Sequence, residues 1–146
     1  MVSLVLAVVA PRLLGPALMV AAAIIVKGYN DVGDGFSAGV IVALAIALRY
    51  VTWGAERTER SLPVLRYAPG IAIGGLLIAL GVGFAGVAFG EPPFTHLPRP
   101  GEDVVKIGTF ELISAVAFDL GLFALVAAAL VVLVHNLARL VAGAYT

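Results

Sequence analysis

Long apolar runs alternate with short polar ones along the whole chain, and four of the runs are long enough to cross a membrane. About 20 apolar residues span a hydrocarbon core of roughly 30 Å as an α-helix. The first run covers 4–26 and is interrupted by Pro11, Arg12 and Pro16. Its clean part, 13–26, is short, so Pro11 is expected in the first helical turn, where a missing N–H does no harm. The second run covers 36–53. The third, 70–89, carries no charge. The fourth, 107–134, contains Glu111 and Asp119. The three connecting loops are too small to fold by themselves. This pattern predicts an all-α integral membrane protein, a single membrane domain over 1–146 built as a bundle of four transmembrane helices.

Composition strengthens the expectation. The chain is 62% hydrophobic and 12% charged, with mean hydropathy +1.10, whereas soluble domains are about half apolar and about a quarter charged. A formal net charge of zero gives no electrostatic case for nucleic acid. Without cysteine there is no disulfide, thiolate metal site or cysteine nucleophile. The N-terminus lacks the basic region of a signal peptide and is expected to begin the first span.

Lysine and arginine favour the cytoplasmic side. Arg49, Arg57, Arg60 and Arg66 surround the loop between spans two and three. Placing that loop inside puts both termini inside and groups six of the nine basic residues there, with Arg12 and Arg139. Lys27, Arg99 and Lys106 then lie outside, with the turn 27–39 and the loop 90–106. Tyr50 and Trp53 fall at the inner interface, where aromatic anchors are expected.

The turn 27–39 is polar and glycine-rich, with Lys27, Asp31 and Asp34 among Gly28, Gly33, Gly35 and Gly39. Its Asp-Val-Gly-Asp-Gly core has neither the twelve-residue spacing nor the terminal glutamate of a calcium loop. Four prolines keep most of 90–106 from being helical. The third span holds Gly70, Gly74, Gly75, Gly81, Gly83 and Gly86. Small residues let membrane helices approach backbone to backbone, so this helix is expected to meet neighbours on more than one side, including partner subunits.

Asp119 is expected near mid-membrane, about ten residues into the fourth span. A carboxylate there costs about 2.5–3.5 kcal/mol on insertion scales and usually faces protein or water. It reads either as a proton or cation relay or as a group that caps or pairs with a neighbouring helix. Glu111 lies eight residues earlier, about 80° round the same helix, and reads as a second polar residue on that stripe or as a helix-dipole partner. His135, at the inner helix end, is a candidate proton gate or a structural partner of that end. His96 alone does not make a metal site. There is no Walker lysine, nucleophile elbow or zinc-type His/Glu pair.

Gly28-Tyr-Asn-Asp-Val-Gly-Asp-Gly-Phe36, with Gly39 following, resembles the Gly-His-Asn-x-Pro-Gly-Gly-Gly-Phe-x-x-Gly signature of the B-type component of multisubunit Mrp-type Na+/H+ antiporters. Phe118-Asp-Leu-Gly-Leu-Phe123 is similar to that family's Phe-Asp-x-Gly-Val-Tyr pattern, and Pro93-Phe-Thr95 to a piece of its outer loop. Tyr29, Val32 and Asp34 depart from the signature, and no role of the missing histidine carries over. The resemblance implies a small accessory subunit of a secondary cation/proton antiporter, not an enzyme, in the prokaryotic inner membrane. Its partners would be large A- and D-type and small C-, E-, F- and G-type subunits and the lipid bilayer. No cofactor or metal is implied beyond Na+ and H+ as transported ions. Asp119, Glu111, Asp34, Asp31 and Asn30 are then the candidates for a cation or proton path, and Gly28, Gly33, Gly35, Phe36 and Gly39 shape the turn. Related subunits serve membrane-bound hydrogenases, which leaves an ion-translocating module of such a complex, or a purely structural component, as alternatives.

Overall fold

The computed structural model describes residues 4–27, 33–95, 106–107, 110–111 and 114–144. Helix α1 (Leu4–Lys27) is followed by α2 (Asp34–Trp53), a short helix α3 (Ala55–Ser61) and a 3-10 turn (Pro63–Tyr67). Helices α4 (Ala68–Ala85) and α5 (Ser114–Ala144) complete the chain. The four long helices, α4 together with its flanking 3-10 turns, are long and apolar enough to span a membrane. Gly54, at φ 77°, ends α2 and starts α3. Pro69 opens α4 at a position where its missing N–H is harmless. A second 3-10 turn, Gly86–Phe89, closes that span at Gly90, which is left-handed at φ 79°.

The helices pack as a row of neighbours: α1 on α2, α2 on α5, α5 on α4. Helix α5 is therefore an inner wall of the protein. Its contacts depend on glycine. A Cβ on Gly39 would lie 3.0 Å from the Phe123 carbonyl oxygen and from Val126 Cβ. A Cβ on Gly75 would lie 2.6 Å from the Gly121 carbonyl oxygen, and one on Gly121 would lie 2.8 Å from the Ala79 nitrogen. Such backbone-to-backbone seams hold membrane helices together where burial of apolar surface gives little drive. The core beside them collects Ala38, Val42, Ile46, Tyr50, Ala128 and Val131.

Two expectations change. Pro11 is not in the first turn but eighth in α1, inside the helix with Pro16. A proline there leaves the carbonyl four residues earlier without its N–H, and for Pro11 that carbonyl is Ala7. The indole N–H of Trp53 donates to it at 3.0 Å, so α2 repairs the gap. The second change concerns the last span. Helix α5 begins at Ser114 rather than near 107 and runs on to Ala144. Lys106–Ile107 instead pairs antiparallel with Phe110–Glu111 as a two-residue ladder, a setting that suits β-branched and aromatic residues. Glu111 is thus not on the helix that carries Asp119. At the other end, Leu137, Ala138, Arg139 and Leu140 are good helix formers, and nothing in the sequence stops the helix before Ala144.

Candidate functional site

Asp119 is the sixth residue of α5, about 7.5 Å from its start. It is the sixth rather than about the tenth residue of its span and lies level with the first residues of α2. Asp119 is 2% exposed, and its Oδ1 accepts the backbone N–H of Gly33 at 3.0 Å. Gly33 precedes the first helical residue of α2 at φ 127°, a conformation open to glycine and strained for other residues. The first N–H groups of a helix lack internal partners, and the helix dipole favours an anion near them. Asp119 thus serves the N-terminus of α2 from across the protein, 86 residues away in sequence.

Gly35 makes this contact possible. It packs directly on the Asp119 backbone, and its missing Cβ would collide with the Asp119 carbonyl group. Asp34, half-buried, and Phe36, 56% exposed, flank it in the first turn of α2. Gly28, Asn30 and Asp31 lie outside the described residues. For Glu111 only the backbone, in the short ladder, is described.

Sequence reasoning missed two aromatic residues at this end. Phe94 donates its backbone N–H to the Gly83 carbonyl at 2.6 Å and lays its ring where a Gly83 side chain would be, 2.7 Å from that Cβ position. The ring stands 5.5 Å from Phe84 and 6.2 Å, edge-on, from Phe118. Phe118 directly precedes Asp119. The Pro93–Thr95 piece is thereby docked through Phe94 on Gly83 and Phe84 of α4 and on Phe118 of α5. The available signal was shared membership of one motif set: the described parts of three sequence-distant fragments that resemble one family's patterns, Gly33–Gly39, Pro93–Thr95 and Phe118–Phe123, lie toward one end of the row.

A second polar cluster closes the opposite end. Glu59 on α3 bonds Arg139 at 2.7 Å, and its Oε1 lies 3.0 Å from His135 Nδ1, within ion-pair reach but without hydrogen-bond alignment. The Tyr50 hydroxyl is 3.4 Å from the same His135 nitrogen. His135 therefore belongs to a structural knot joining α2, α3 and α5.

The fold and the buried carboxylate define a polytopic helical membrane protein with an acidic group held beneath a glycine turn. The family model described as "Domain related to MnhB subunit of Na+/H+ antiporter" matches residues 5–132. The chain belongs to that family. It is an MnhB-type component of the multisubunit Na+/H+ antiporters, a multi-pass protein of the prokaryotic cell membrane, and part of a transporter rather than an enzyme. Among its relatives, a probable K(+)/H(+) antiporter A/B-type component of Rhizobium meliloti is 36% identical over 124 residues, which is 83% of this chain but 12% of that protein. The B-type component of a Na(+)/H(+) antiporter from Alkalihalophilus pseudofirmus is 33% identical over 99 residues, 68% of this chain and 67% of the relative. Its counterpart from Bacillus subtilis is 33% identical over 101 residues, 68% of each chain.

Proposed function

We propose that this chain works as the B-type component of an assembled secondary antiporter that exchanges Na+ or K+ for H+. In this reading Asp119 is a charged station near the outer end of the ion path. The observation that carries it is the buried Asp119 carboxylate on the Gly33 N–H, with Gly33 itself exposed above it. Ionisable residues within membrane spans are rare and mark ion pathways when they face protein or water. Asp34, with Asn30 and Asp31 in the preceding turn, would form the entrance. Gly28, Gly33, Gly35, Phe36 and Gly39 would hold its shape. Both termini would face the cytoplasm, as the arginine distribution favours. The large A- and D-type and small C-, E-, F- and G-type subunits would be the partners.

Two substitutions at one atom pair test the role of Asp119. Asp119→Asn keeps an oxygen for the Gly33 N–H but has no charge, whereas Asp119→Ala removes both. With the whole complex in everted vesicles, Asp119→Asn is expected to assemble normally and lose cation-dependent proton exchange. Asp119→Ala is expected to lose exchange and weaken assembly as well. Full exchange by the asparagine variant would make Asp119 a helix cap alone and end the path assignment.

A further inference from the structure

Where α1 and α2 meet near Trp53, positive charge gathers that no carboxylate among the described residues neutralises. The Trp53 ring is fixed by its N–H bond to the Ala7 carbonyl. The Arg57 guanidinium sits 4.4 Å from the ring centroid and that of Arg49 sits 5.9 Å away. On α1, Arg12 turns back a full helical turn so that Nη1 donates to the Val8 carbonyl at 3.1 Å, next in the chain to the carbonyl that Trp53 occupies. Two guanidinium groups therefore flank one indole, and a third is bonded to the carbonyl next in the chain to the one the indole holds. The carboxylates nearest in sequence are engaged elsewhere: Glu56 with Arg60 at 2.6 Å, and Glu59 with Arg139 and His135. Arg49 is 9% exposed, donates to the Pro11 carbonyl, and keeps a buried Nε without a hydrogen-bond partner among the described residues. Arg12 and Arg57 are exposed.

We propose that Arg12, Arg57 and Trp53 form a binding site for the phosphate of an anionic phospholipid, with Arg49 adding positive charge from behind. Guanidinium groups match phosphate oxygens with paired N–H donors, and basic side chains near a membrane surface attract acidic lipids. A lipid rather than a free anion fits because the flanking surface is apolar. Val8, Val9 and Leu13 on α1 and Val51 on α2, level with Trp53 or deeper in the span, are all at least 40% exposed, which suits acyl chains beside the headgroup. Tryptophan, apolar with one polar N–H, suits this half-wet level. The site needs only that α1 and α2 span a bilayer. It stands or falls independently of antiport and of which terminus faces the cytoplasm.

Trp53 is the only tryptophan in the chain, so its emission reports this place alone. The full-length protein is reconstituted in vesicles of phosphatidylcholine doped with brominated phosphatidylglycerol or brominated phosphatidylcholine. Brominated phosphatidylglycerol is expected to quench Trp53 at a several-fold lower mole fraction. Arg12→Gln and Arg57→Gln should each reduce that preference about fivefold. Arg57→Lys should retain most of it, and Arg60→Gln, whose native partner is Glu56, should leave it intact. Equal quenching by the two lipids overturns the proposal. So does an unchanged preference in Arg12→Gln and Arg57→Gln, or full competition by inorganic phosphate, which would indicate a free-anion site.

Discussion

Trp53 and Pro11 show how a single side chain can repair a backbone. Proline inside a helix costs about 3 kcal/mol or more, partly through the carbonyl it strands. Here the indole N–H takes up that carbonyl at 3.0 Å. Trp53→Phe should therefore destabilise the protein by about 0.5–1.5 kcal/mol, the usual net worth of one hydrogen bond. Unfolding in mixed micelles followed by far-ultraviolet circular dichroism would measure it. In a Pro11→Ala background the Ala7 carbonyl regains a backbone donor, and the same substitution should cost distinctly less. An unchanged cost in that background would show that Trp53 acts by packing. None of this is legible in the sequence. Pro11 reads as an early-turn proline because hydropathy does not reveal a donor supplied from 46 positions away. Asp119 is legible, since an acid in an apolar run stands out whatever it bonds. Its depth is not, because the start of α5 depends on a two-residue ladder too short to alter a hydropathy window.

At the level of elements, the glycines of α4 fall into two sets that the sequence does not separate. Gly75 and Gly83 are filled against, by α5 and by the Phe94 ring, while a Cβ on Gly70, Gly74 or Gly81 would meet nothing within 4 Å. Gly75→Ala and Gly121→Ala should each cost about 1–3 kcal/mol, the range for overpacking. Gly74→Ala in the isolated chain should stay within about 0.5 kcal/mol. Thermal unfolding in detergent would rank them, and equal effects at Gly74 and Gly75 would contradict the α4–α5 seam. The four spans themselves are readable from composition because a bilayer imposes one length on every helix. Which face of a helix meets which neighbour is set by glycine contacts between distant segments, and periodicity carries no record of the partner.

Across the whole molecule, the row α1–α2–α5–α4 leaves much of its surface open, with 11% of the α1 span and 22% of the α4 and α5 spans buried, against 50% for α2. Such surface suits lipid or companion subunits. The orientation can be checked directly because the chain has no cysteine. Pro93→Cys should react with a membrane-impermeant maleimide in intact cells, and Ser61→Cys only after permeabilisation. The reverse pattern would invert the topology proposed from the arginines.

The bond between Asp119 and Gly33 also has a consequence in time. The two residues are 86 positions apart, and synthesis at about 5–20 residues per second separates them by several seconds. During that interval α1 and α2 wait in the bilayer as a hairpin. The notch at Gly35 and Gly39 is vacant, and the head of α2 lacks its carboxylate. The helix that fills this notch is made after the two that form it, so a nascent chain stalled before Ser114 would present an unfilled groove to any other helix that passes.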